Sequence, residues 1–294
     1  LTTTTGNKKD YGFFLQNTVA QADKDPASSD AVFVYQSKYT NVRVDGKRGE
    51  FYEPAVGDEV VIKGRAGEWK GMTQLSGTFL VRKVRGAVDL NKELQAFTVD
   101  PPQDQKQARI YWERHEAMRA RVPAGAEVCA ALNSYDEAWL MLPGNPLLKR
   151  EDPYARRFFR DVHPLDNDAQ KQFDDGNGSR VLIHSLALMG QSDQKQYCLP
   201  AGAHVFDVTQ NEITGAVYYC YKKYSVLASE QLKVKQGAAP SKNNPPQEPQ
   251  RGKEFSIASF NVENLYDYRN DPTDPCDSAS DPGVAEVQKP FNYL

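Results

Sequence analysis

Two stretches of the chain bring together residues that could do chemistry. In "FSIASFNVENLYD" (255–267), apolar and small residues alternate and then give way to Asn261 and Glu263. That order is expected of a buried strand that delivers polar side chains to its tip. An amide at a strand end can orient a phosphoryl oxygen or a metal-bound water without adding negative charge, as metal-assisted phosphodiester hydrolysis needs. Asn also ends strands as an ordinary turn former. In "IKGRAGEWKG" (62–71), the cations Lys63, Arg65 and Lys70 flank Trp69. Cations interleaved with an aromatic suit single-stranded nucleic acid, whose bases stack while its phosphates are neutralised.

The elements that must position these residues are short strands. "YGFFLQ" (11–16), "AVFVYQ" (31–36), "DEVVIKG" (58–64) and "GTFLVRKV" (77–84) are separated by turn-rich segments. Five or so such strands in residues 1–95 predict a small OB-like barrel. In residues 96–235, "AEVCAALNSYDEAWLML" and "SRVLIHSLALM" read as strands, and "HVFDVTQNEITGAVYYCYKKYSVLA" as a long hairpin. "QARIYWERHEAMRARV" fits either a helix or a polar-faced strand pair. "PAVGDEVVIKGRAGEWKGMTQL" and "PAGAHVFDVTQNEITGAVYYCYKKYSV" echo each other in order of residue types, which predicts a second OB-like module. Residues 236–253, "QGAAPSKNNPPQEPQRGK", hold no apolar side chain larger than Ala and are expected to be a linker. The fold class expected is therefore mainly β, with residues 254–294 opening a further, incomplete domain.

Composition narrows the function classes. The chain has 294 residues with a net charge of −3, so a nucleic-acid site would have to be a local basic groove. No apolar run approaches the length of a membrane-spanning helix. The first residue is Leu1, and "LTTTTGNKKD" lacks the basic-then-apolar order of a signal peptide, so the true start is expected upstream. The four cysteines (129, 198, 220, 276) form no C-x-x-C pair, which argues against zinc and leaves disulfides and buried thiols both open.

Other residues have a sharper and a blander reading. Asp174, Asp175 and Asn177 in "FDDGNGSR" could ligate Ca²⁺ or simply form a turn, and Asn177-Gly178-Ser179 is a glycosylation sequon. Phe13, Phe14, Tyr35 and Trp69 could stack bases, although an aromatic in a strand is more often core. The scattered His115, His163, His184 and His204 are expected to be structural. Cys276, in an Asp-rich loop, is expected to be bridged.

"FSIASFNVENLYD" resembles the first strand of the endonuclease/exonuclease/phosphatase superfamily. The succession "GFFLQNT", "SSDAVFVYQ", "VGDEVVIKGRAGEWKGMTQLSG" resembles the OB-like domain that precedes the catalytic domain in secreted bacterial nucleases. "YWERHEAM", "FDDGNGSR" and "AGAHVFDVTQNEITGAVYYCYKKYSV" look like the region joining the two. The resemblance implies the first strand of a four-layer α/β nuclease domain over 254–294. It also implies secretion, a nucleic-acid substrate (DNA before RNA) and Mg²⁺, with Ca²⁺ or Mn²⁺ as alternatives. It places Asn261 in the metal and phosphate centre, and gives Glu263 no role. The family's remaining catalytic Glu, Asp and His have no counterpart before Leu294, so this chain itself is expected not to hydrolyse substrate. A non-catalytic nucleic-acid- or glycan-binding module and a phosphatase of the same superfamily are the alternatives.

Overall fold

A computed structural model describes residues 1–237, apart from 2, 6–11, 24, 37–41, 48, 95, 150–176, 189–195 and 221–222, together with 252–253. The chain divides into two compact units, Leu1–Asn243 and Asn244–Leu294. Nearly all described residues belong to the first. Asn261, Glu263, Asp174, Asp175, His163 and Cys276 lie outside the described residues, as do 254–294 entirely.

The first unit is mainly β. Its first sheet comprises β1 (Thr3–Thr4), β2 (Gly12–Gln16), β3 (Ala31–Tyr35), β4 (Arg43–Val44), β5 (Glu59–Trp69) and β6 (Met72–Arg85). β6 organises it: β3 and β4 pair with it in parallel through residues 74–75 and 79–80, and β5 runs antiparallel along it. β2 reads "GFFLQ" without alternation because both of its faces are covered. Phe13 packs with Leu1, Val34, Val42, Tyr52 and Leu80 in the sheet's own core. Phe14 points the other way and joins Phe33, Met72, Ala216, Tyr218 and Leu227.

After the short helix α1 (Leu90–Glu93) come β7 (Phe97–Thr98), α2 (Gln105–Arg114), β8 (Arg119–Val122), β9 (Glu127–Ala130), β10 (Glu137–Met141), β11 (Arg180–His184), β12 (Val208–Thr209), β13 (Ile213–Cys220), β14 (Lys223–Leu227) and β15 (Val234–Lys235). The strands form one nine-stranded sheet in the order β15-β12-β9-β10-β11-β14-β13-β8-β7. In "QARIYWERHEAMRARV" the helical reading holds as far as Arg114, and a single strand, β8, follows in place of a strand pair. Asp104 caps α2, its carboxylate accepting from the Gln107 amide at 2.9 Å. Ala108 and Trp112, one turn apart, face the core.

The two segments that echo each other in sequence lie in different sheets. One sheet has six strands and the other nine, against about five in an OB barrel. They also share a core, because the cluster around Phe14 and Phe33 takes residues from both sheets. At roughly 25 cal/mol per Å² of apolar surface, that shared cluster couples the stability of the two sheets.

Candidate nucleic-acid interface

The outer half of β5 and the turn after it form an exposed ribbon carrying all four cation and aromatic candidates. Residues 64–71 are exposed on both faces. The turn is a two-residue one, Lys70 at φ 51° and Gly71 at φ 86°, with Trp69 paired to Met72. Two successive positive φ values match a type I′ hairpin, which suits the twist of the flanking strands. Gly71 is required twice over, because a Cβ there would also come within 2.5 Å of the Tyr219 ring.

One strand of the ribbon is tied down and the other is exposed. Met72 is buried, and its sulfur accepts from the Tyr219 amide at 3.3 Å. The Thr73 amide donates to Glu116 Oε1 at 2.9 Å. Across from them, Trp69 is 62 % exposed, with Lys70 Nζ 6.0 Å from its ring centre. Along β5 the register shifts between Lys63 and Arg65 but not between Arg65 and Trp69, so Arg65 and Trp69, an even number of residues apart, share one side. The cations are not equally available. Lys63 Nζ contacts Asp45 at 2.6 Å and lies 5.6 Å from the Phe79 ring centre. That hydrogen bond also holds the Asp45 carboxyl below its ordinary pKa. Arg65 makes no salt bridge among the described residues. Further along β6, Lys83 is held by Asp58, and Arg85 by Glu59 and Glu93.

Of the four aromatics that could stack bases, Phe13 and Phe14 are fully buried core residues, as is more usual for an aromatic in a strand. Tyr35 is half-buried against the shared cluster, and Trp69 alone of the four is exposed. His115 stacks on Phe97 at 4.1 Å, and His184 accepts from the Leu186 amide at 2.9 Å. Both have structural roles. Asn177 is buried, its carbonyl oxygen occupied by the Ser179 amide and hydroxyl, so it forms the turn that the blander reading predicts. Cys198 is a buried free thiol whose pKa burial pushes up to about 11.

Two features were not singled out from sequence. An open cleft of about 610 Å³ lies beside the ribbon, its apolar lining including Leu15, Val32, Val60, Ile62, Leu75 and Leu94. Where the ribbon meets the second sheet, the Glu116 carboxyl is buried, with Oε2 unpartnered and its pKa raised to about 7, chiefly by burial. Beside it, Tyr224 donates to Glu113. No group of three or more His, Cys, Asp or Glu among the described residues could hold a metal ion. The metal centre expected around Asn261 lies outside those residues. No helix among the described residues is long and apolar enough to cross a membrane. Compared with known protein families, curated proteins and solved structures, the chain has no match in any of the three.

Proposed function

We propose that this chain is the substrate-presenting, N-terminal part of a secreted, metal-dependent nuclease, and that its β5–β6 ribbon holds single-stranded nucleic acid, DNA before RNA. The observation that carries the binding half is Trp69. An aromatic ring left 62 % exposed at a ribbon tip, beside Lys70 and in line with Arg65, contributes nothing evident to folding and offers a stacking platform. Base stacking on such a ring is worth about 1–3 kcal/mol, and neutralised phosphates add a salt-dependent term. The nuclease half rests on the sequence resemblance, with Asn261 as the residue that would face Mg²⁺ (or Ca²⁺ or Mn²⁺) and phosphate.

Fluorescence anisotropy with a labelled single-stranded oligonucleotide tests the binding half. Binding should weaken with salt, with a log–log slope of about −0.7 per phosphate contacted. Replacing Lys63, Arg65 and Lys70 together by Ser should flatten that slope and leave the circular dichroism spectrum unchanged. An unaltered slope in a folded triple variant would remove the ribbon from the interface.

A further inference from the structure

A second basic feature lies away from the ribbon. A pocket of about 220 Å³ opens where α1 and β8 approach the start of β13, its lining including Asn91, Leu94, Arg119, Arg121, Glu212 and Thr214. Alternation along β8 creates it. Ala120 and Val122 are buried in the main core, so Arg119 and Arg121 project together from the opposite face. Thr214 pairs directly across from Arg121, on the same face of the sheet.

The two arginines meet no carboxylate at contact distance among the described residues. Arg119 donates to the Leu90 carbonyl at 3.4 Å, Asn91 Oδ1 at 2.8 Å and Thr214 Oγ1 at 3.4 Å, all neutral acceptors. Neither arginine forms a salt bridge within that set, although Glu212 shares the lining. Burial and the neighbouring Arg121 both hold the Arg119 pKa below its ordinary value, against a smaller opposing pull from Asp89. Two like charges side by side in a partly buried site repel, and an anion between them relieves that repulsion. Guanidinium forks match the spacing of phosphate oxygens in a bidentate way. Asn91 Oδ1 and Thr214 Oγ1 already accept from Arg119, which leaves the Asn91 amide hydrogens and the Thr214 hydroxyl hydrogen to donate inward. The volume is below the roughly 300–1,000 Å³ of ordinary small-molecule pockets, so it admits one tetrahedral oxyanion and not a whole nucleotide.

We propose that Arg119 and Arg121, with Asn91 and Thr214, form a subsite for a phosphate-type oxyanion, either free phosphate or one phosphodiester of a bound strand. The site is independent of the ribbon, and its test separates the two. Inorganic phosphate and a single-stranded oligonucleotide are each titrated into the 294-residue chain and its Arg121→Gln variant by calorimetry. Arg121 forms no salt bridge among the described residues, so the variant should melt where the parent does. Arg121→Lys, which keeps the charge but loses the fork, guards against a folding artefact and should fall between the two. Loss of a charge-assisted contact predicts an affinity about tenfold lower or worse in Arg121→Gln. A drop for phosphate alone identifies free phosphate as the ligand. A drop for the oligonucleotide, with or without one for phosphate, identifies a phosphodiester. Trp69→Ala should leave phosphate affinity unchanged, so failure of the ribbon does not count against this pocket. Equal affinities for both ligands in parent and Arg121→Gln, or no binding of either, overturn the subsite.

Discussion

The β5–β6 and β13–β14 hairpins share a sequence pattern and have opposite fates. In β13–β14, Val217 pairs with Val226 and Tyr218 with Ser225, all four buried. In β5–β6, Val61, Val81 and Val84 remain between 38 and 48 % exposed, and Trp69 more so. β13–β14 pairs without a register shift and β5–β6 shifts register three times, but a bulge in the ladder does not by itself decide which faces are covered. Composition of the faces does. Residues 216–218 and 224–228 are apolar on both faces apart from Ser225, and they are buried on both. The β5–β6 ribbon interleaves Lys63, Arg65, Glu68, Arg82, Lys83 and Arg85, and no apolar layer can cover it without stranding charge. The buried hairpin stabilises the unit, and the exposed one remains available for a ligand.

The largest effect should come from truncating the buried hairpin. Leu227→Ala empties a fully buried position in the cluster that joins the sheets, and should cost about 2–5 kcal/mol by denaturant unfolding. Val84→Ala, on the exposed hairpin, should stay within about 0.5 kcal/mol. Similar losses at the two sites would erase the contrast.

Glu116 sits where the two hairpins meet, bonded to Thr73 of one and close to Tyr224 of the other through Glu113. Burial, then the charges of Glu113 and Glu68, raise its pKa to about 7 from an ordinary 4.5. The folded chain therefore keeps a proton that the unfolded chain releases between those values. The stability this group contributes is full below about pH 4.5 and is lost as pH rises to about 7. Glu116→Gln should flatten that slope and stabilise the protein above pH 7 by about 1–3 kcal/mol. An unchanged pH profile would show that the carboxyl is solvated and that the hairpins are not joined through it.

A smaller effect separates the ribbon cations. Arg65 is unpaired among the described residues whereas Lys63 is held by Asp45, so Arg65→Ser should weaken oligonucleotide binding several-fold more than Lys63→Ser. The reverse order would mean that Asp45 gives up its lysine on binding.

Sequence pattern located most of these elements. The strand runs at 11–16 and 31–36 differ from β2 and β3 by a single residue, and the hairpin over 213–227 was legible from its apolar, aromatic-rich run. The hairpin in "VGDEVVIKGRAGEWKGMTQLSG" was also legible, as a strand, a tight Gly turn and a returning strand, but its strand runs at 58–64 and 77–84 stop short of residues 69 and 72, because the charged and Gly-rich end of the ribbon carries no burial signal. Nor could the echo between the hairpins show their unequal settings, since a strand's partners are set by tertiary packing. Trp69 was recognisable as a candidate from its flanking cations. The Arg119–Arg121 pair was hidden in a segment whose helix and strand readings both fitted. "RARV" alternates as a half-buried strand should, and that was the signal available for it.

Intrinsic fluorescence tests the central claim most directly. The chain has three tryptophans; Trp112 and Trp139 are each 1 % exposed, so Trp69 alone meets solvent. Titration with a single-stranded oligonucleotide should quench the solvent-exposed component and should stop doing so in Trp69→Phe. Trp69→Ala should lower affinity roughly 5- to 150-fold, the equivalent of one stacked base. Oligonucleotide binding that leaves Trp69 emission untouched and survives Trp69→Ala at full strength would contradict the account.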